Sequence, residues 1–183
     1  MIKIGITGSI ASGKSTVAKM ISGKKYPIFD ADYKVREIYK KKFFIKKLYK
    51  AIGAKNKKDI KNIISINPQK LKIAEKIIHP MVRKELNFFI KKNKKNLFLI
   101  FEIPLLIESK LMNKFHKIIF VNSKRNIRKK RFLRRGKSIK LFNILDRRQD
   151  KPAKKIKFSD HVINNNNSLK RLKKNVKLVL NKL

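Results

Sequence analysis

A chain of 183 residues is long enough for one domain with a real core and short for two. It carries 51 Lys and Arg against 11 Asp and Glu, a formal net charge of +40, and 42% of it is hydrophobic, which describes a folded, anion-seeking protein. With no cysteine it has no disulfide, no cysteine-based zinc site and no cysteine nucleophile, and its three scattered histidines argue against a histidine metal site.

The opening residues MIKIGITGSIAS have too short an apolar run for a signal peptide. The most apolar stretch, 97–107, is too short to span a bilayer and carries Glu102 in its middle. A cytoplasmic protein with no membrane association is expected. Lys, Asn, Ile and Phe dominate, and all have AT-rich codons, so a mutational bias alone could spread lysine over every solvated face. The lysines run from Lys3 to Lys182 without a basic tail, which argues against a dedicated nucleic-acid surface.

In chain order, residues 2–7 read as a first strand, followed by a glycine-bearing turn and a helix over 14–22. Residues 26–29 suggest a second strand ending at Asp30, and a long helical block covers about 33–95. Within that block Asn67-Pro68 is a good helix start, and Pro80 should kink or break its helix. Residues 97–101 and 117–121 are continuous apolar runs, as in parallel strands buried on both faces, and 161–163 are a possible fifth strand. Residues 125–150 form a very basic helical excursion, broken at Gly136 and restarted at Ser138. A last helix is capped by Ser168, with Leu169, Leu172, Val176, Val179, Leu180 and Leu183 on one stripe. Strands separated by helices predict an α/β fold with a parallel sheet.

The strongest motif is Gly8-Ser9-Ile10-Ala11-Ser12-Gly13-Lys14-Ser15, which satisfies G-x-x-x-x-G-K-[ST] between a predicted strand and a predicted helix. Only six glycines occur, and Gly5, Gly8 and Gly13 fall within nine residues. Backbone N–H groups and the helix N-terminus would face the β-phosphate, Lys14 would reach the β/γ oxygens, and the Ser15 hydroxyl would ligate Mg²⁺. This predicts binding of a nucleoside triphosphate.

In so basic a chain the acids are informative. Glu37, Asp59, Glu75, Glu85, Asp146 and Asp150 lie among Lys and Arg and read as surface pairs. Asp30 and Asp32 end the second predicted strand, where ligands bind in open α/β sheets, so a carboxylate there could take a proton from an attacking hydroxyl. Helix N-capping by Asp32 is the structural alternative. Glu102 follows the third strand, where such folds put the acid that holds the metal or its water, and Glu108 reads as the last turn of a short helix after Pro104. Arg128, Arg131, Arg134 and Arg135 fall at spacings of three and four, so several share a helix face. They suggest a lid over the triphosphate, a solvated face, or an RNA-contacting helix. On bare sequence His79, before Pro80, is a packed helix-end residue, and His116 and His161 look structural.

With these motifs in view, the chain resembles dephospho-coenzyme A kinases from Ile4 to about Leu172. The matching pieces are GITGSIASGKST (5–16), FDADYKVREIY (29–39), KIIHPMVRKEL (76–86), FEIPLLIES (101–109), RRGKSIKLFNILDRRQ (134–149) and SDHVINNNNSL (159–169). The resemblance implies a single P-loop NTPase-type domain: a five-stranded parallel sheet flanked by helices, with core about 1–30, 97–124 and 157–183. A helical acceptor block would cover about 31–96 and a lid about 125–156. It implies phosphorylation by ATP of the ribose 3′-hydroxyl of dephospho-CoA, the last step of coenzyme A biosynthesis, with Mg²⁺. Gly8, Ala11, Ser12, Gly13, Lys14, Ser15 and Thr16 would bind ATP, and Ser15 and Glu102 the metal. Asp32 would be the general base, with Lys14 and Arg134 neutralising charge. Arg36, His79 and Arg83 would join Asp32 in holding dephospho-CoA, Gln149 would belong to the lid, and Asn165 would lie near the adenine.

The chain departs from the family pattern in places. Glu102 stands where the family usually has Asp, Ser9 and Ala11 replace two loop glycines, and Leu145 corresponds to an expected lid arginine, with Arg147 and Arg148 nearby. The region 40–66 is short and lacks a Phe-Gly turn. The rival functions are a nucleoside monophosphate kinase and a nucleotide-switched nucleic-acid-binding protein. A monomer or weak homo-oligomer is expected.

Overall fold

The structure, a computed structural model, describes residues 1–183, except for the side chains of Lys57, Lys61 and Ser65. The chain divides into two compact units, one formed by Met1–Asp30 with Asn93–Leu183, the other by Ala31–Lys92.

The first unit is built on a five-stranded, all-parallel sheet in the order β2-β3-β1-β4-β5. Its strands are β1 (Ile2–Thr7), β2 (Ile28–Asp30), β3 (Phe98–Glu102), β4 (Lys117–Asn122) and β5 (His161–Asn164). Side chains alternate across it. Ile4, Ile6, Ile100, Ile119, Val121 and Ile163 pack with Val17, Ala18 and Ile21 of α1 (Lys14–Ser22) and with Leu172, Val176 and Val179 of α9 (Leu169–Leu180). Phe101, one place along from Ile100 and therefore on the other face, meets Phe29 and Phe115 with ring centroids 5.9 and 5.2 Å away. Both faces are covered, so the strands read as continuous apolar runs. The Ser168 hydroxyl caps α9 by accepting the Arg171 N–H, as its position predicts.

Strand ends shift by one or two residues from the sequence reading, and two of these shifts have a bearing on the site. β2 starts at Ile28 because Pro27 has no N–H for the ladder, although its carbonyl accepts the Ile100 N–H at 3.1 Å. β3 runs on through Glu102, in register with Ile6 and Asp30, so the acid is the last residue of the strand.

The basic excursion becomes α6 (Arg125–Leu133), α7 (Ile139–Arg147) and α8 (Pro152–Lys157). The Ser138 hydroxyl restarts the chain by accepting the Leu141 N–H. Phe132 and Phe142 join α6 to α7 at 5.6 Å.

The second unit holds α2 (Ala31–Ile38), α3 (Lys42–Ile52), α4 (Lys57–Ile66) and α5 (Pro68–Lys92) around Ile38, Phe44, Leu48, Ile52, Ile60, Ala74 and Ile78. Asn67 caps α5 by accepting the Gln69 and Lys70 N–H groups, with Pro68 as first helical residue. Pro80 does not break this helix, which continues for 25 residues. The proline removes one backbone hydrogen bond, while burial of Ala74, Ile78 and Leu86 holds the helix on both sides of it. Asp32 also differs from expectation. The strand stops at Asp30, and Asp32 lies in the first turn of α2, where a carboxylate suits the helix dipole, not at the cap.

Lys34 on α2 and Lys41 reach Glu85 on α5 at 3.1 and 3.5 Å. The hydrogen bond from Lys34 holds the Glu85 carboxyl below the usual carboxylate range. A carboxylate shifted down contributes stability above its unfolded pKa of about 4.3 and loses it as the pH falls through the folded value. Glu85→Gln is therefore expected to cost up to about 1 kcal/mol at pH 7. In urea melts across pH, that deficit should begin to shrink below the unfolded value and approach zero as the pH falls through the folded one, and a deficit that stays constant down to acid pH would contradict the pair's role.

Candidate active site

The phosphate loop leaves the carboxyl end of β1, between β3 and β4, the position where open parallel sheets bind ligands. Gly8 is required by a close approach: a Cβ there would lie 2.6 Å from the Val121 carbonyl and 2.7 Å from Ser12 Oγ. Gly13 precedes α1 at φ 99°, and a Cβ on it would run into the Asn165 amide.

Four of the loop carbonyls, those of Gly8, Ser9, Ile10 and Ser12, are held by side chains. Lys14 Nζ donates to Gly8 and Ser9 O at 3.0 and 3.1 Å. Arg128 donates to Ile10 O at 3.3 Å. Asn165 Nδ2 donates to Ser12 O at 2.8 Å, with Arg131 also directed there at 3.5 Å. The Ile10 N–H donates to Gln149 Oε1 at 2.7 Å. With the carbonyls turned outward, the N–H groups of Ala11, Gly13, Ser15 and Thr16 have no acceptor among the described residues. Ser12 Oγ is buried and also lacks one. A row of donors at a helix N-terminus beside a lysine ammonium is an anion nest that fits a polyphosphate.

Ser15 donates its hydroxyl to Glu102 Oε1 at 2.6 Å. Glu102 is only 8% exposed. The Glu102 side chain reaches from the end of β3 to the serine. No group of three or more His, Cys, Asp or Glu that could hold a metal occurs among the described residues. One hydroxyl and one carboxylate suit a hard cation that takes its remaining ligands from phosphate and water, as Mg²⁺ does.

The arginines divide by burial. Arg128 is 4% exposed and pairs with Asp146 at 2.6 Å, while Arg125 reaches the same carboxylate at 3.0 Å. Asp146 is thus a structural anchor and not the surface pair its helix suggested. Arg131 donates to Ser123 Oγ and Asn165 Oδ1 at 3.3 and 3.2 Å. Burial, reinforced by the charge of Arg135, pulls its pKa below the ordinary value, so an anion at the loop would find it without a carboxylate partner. Arg134 is exposed at the end of α6. Asn165 and Gln149 grip the loop backbone, roles the sequence did not reveal.

In the second unit, Asp32 and Arg36 stand one turn apart on α2, as do His79 and Arg83 on α5, and all four are exposed. Arg36 lies over the Tyr33 ring at 5.7 Å.

Comparison with known proteins agrees with this geometry. The family model for dephospho-CoA kinase matches residues 2–171. The chain belongs to the dephospho-CoA kinase family. A dephospho-CoA kinase from Fusobacterium nucleatum is 35% identical over 184 residues, covering 94% of both chains. The one from Aquifex aeolicus is 31% identical, covering 100% of this chain and 98% of its own. The crystal structure of TT1252 from Thermus thermophilus superposes with a TM-score of 0.84 at 32% identity, covering 100% of this chain and 97% of that one.

Ala11 of the loop and Leu145 of α7 meet in one apolar cluster. Ala11 sits at φ 57°, a left-handed conformation costing about 1–2 kcal/mol for an L-residue. Its methyl packs on Phe132 and Phe142 with Leu145 alongside, and a buried methyl recovers about 0.8 kcal/mol.

Gly13→Ala is expected to abolish binding of an ATP analogue, because the new Cβ would displace Asn165 from the Ser12 carbonyl. Calorimetric titration checks this, and wild-type affinity in the variant would contradict the loop geometry.

Proposed function

We propose that this chain transfers the γ-phosphate of ATP to the ribose 3′-hydroxyl of dephospho-CoA, giving coenzyme A and ADP. The observation that carries the reading is the gripped phosphate loop, with its amides turned inward and Lys14 and the Ser15–Glu102 pair beside it, in a chain of the dephospho-CoA kinase family.

The loop amides and Lys14 hold the β- and γ-phosphates, and Ser15 and Glu102 are the residues that would hold Mg²⁺. A bound Mg²⁺ supplies positive charge to the phosphate oxygens. Asp32 accepts the proton of the 3′-hydroxyl, whose oxygen bonds to the γ-phosphorus as the bond to the β–γ bridging oxygen breaks. Such transitions are loose, so positioning and charge neutralisation by Lys14, Arg131 and Arg134 carry most of the rate. Arg36, His79 and Arg83 are anion and hydrogen-bonding partners for the acceptor. Residues 125–156 act as the lid. No helix among the described residues is long and apolar enough to cross a membrane.

Three variants test the assignment. Lys14→Ala should abolish ADP formation with the fold intact. Asp32→Asn should lower kcat by about 10²–10⁴-fold with ATP affinity retained. Glu102→Gln should raise the Mg²⁺ concentration needed for half-maximal rate. Steady-state kinetics across Mg²⁺ concentrations read all three, and near-normal kcat in Asp32→Asn would remove that residue from the mechanism.

A further inference from the structure

Lys155 on α8 is 0% exposed, the most deeply buried basic residue among the described side chains. Its Nζ pairs with Glu108 Oε1 at 2.8 Å and donates to Pro104 O at 3.1 Å. Burying an ion pair is costly, and apolar replacements of such pairs are often as stable, so net stability is a weak reason for this one. Its partners suggest another reason.

Two chains of contacts run from the pair to the phosphate loop. The Pro104 carbonyl that accepts from Lys155 also accepts the Thr7 hydroxyl at 3.1 Å. Thr7 is the last residue of β1, immediately before Gly8. Along the second chain, Glu108 Oε1 also accepts the Asp150 N–H at 3.0 Å. Asp150 follows Gln149, whose Oε1 holds the Ile10 N–H of the loop at 2.7 Å. Residues 148–151 are the short link between α7 and α8, so the Glu108 contact fixes the link at the residue next to Gln149.

We propose that Lys155 and Glu108 are positioning residues for nucleotide binding: the buried pair fixes the 148–151 link so that Gln149 holds the phosphate loop at Ile10. The inference rests on the reading of this loop as an ATP site. Neither side chain touches the nucleotide, and their effect reaches it through Gln149.

The test is calorimetric binding of Mg²⁺ with a non-hydrolysable ATP analogue to the full chain, beside thermal melting and the KM for dephospho-CoA. Lys155→Met/Glu108→Leu replaces both ions by apolar side chains of similar length. It is expected to melt near the wild type while its Kd for the analogue rises about 3- to 10-fold, the effect of one lost hydrogen bond, with KM for dephospho-CoA unchanged. Gln149→Ala should raise Kd by a similar factor. Adding it to the double variant should give no further rise, because both act through one contact. An unchanged Kd in the double variant, or fully additive effects, overturns the proposal. If the double variant does not fold, Glu108→Ala, which removes the acceptor of the Asp150 N–H, decides beside Gln149→Ala: a raised Kd that Gln149→Ala does not add to supports the proposal, and an unchanged one overturns it. Failure of the wild type to bind the analogue would instead remove the ATP reading.

Discussion

The phosphate loop is held by its carbonyls. Lys14, Arg128 and Asn165 take the oxygens of Gly8, Ser9, Ile10 and Ser12, and this outward grip turns the remaining N–H groups inward. An anion nest forms where the local backbone conformation aims successive N–H groups to one side, and contacts to the carbonyls on the other side hold that conformation in place. The gripping residues come from the loop itself, from α6, and from the turn after β5. Fixing the loop thus requires the sheet order, the docking of α6 and α7 through Phe132 and Phe142, and the short path from β5 into α9.

The charge of the chain is managed unevenly around that loop. Several of the few carboxylates tie together elements of the first unit. Asp146 joins α7 to Arg128, Glu108 takes Lys155, Glu102 takes Ser15, and Asp160 accepts the Ile118 N–H at 2.7 Å to fix the edge of β4. With so few acids, a cation such as Arg131 is left facing neutral acceptors beside the loop. An arriving triphosphate is the partner such a site favours, because its oxygens offset repulsion that the folded chain otherwise carries.

Much of this was legible in the chain itself. The loop motif, the α1 span, the caps at Asn67 and Ser168, and the five strands depend on local chemistry: backbone freedom at glycine, side-chain capping, and apolar runs buried on both faces. The family motifs added the order of the pieces. The sequence did not reveal which cations are buried. Lys155 looks like any other lysine, since its environment comes from Pro104 and Glu108, some fifty residues away in sequence. Arg128 and Arg131 share a spacing but differ in role for the same reason. Pro80 does not break its helix, because burial on both sides of it outweighs the lost backbone bond, and Asp32 lies in a helix because α2 starts at Ala31, directly after β2 closes at Asp30.

The central claim is that this loop serves a kinase of dephospho-CoA and not of another phosphate-bearing acceptor. The most direct measurement is an acceptor panel: the purified chain with ATP and Mg²⁺, given in parallel dephospho-CoA, nucleoside monophosphates and a single-stranded RNA, with ADP release and product mass followed together. The account predicts ADP release coupled to gain of one phosphoryl group by dephospho-CoA alone. Phosphorylation of nucleoside monophosphates with dephospho-CoA untouched, or ADP release only in the presence of RNA, would contradict it.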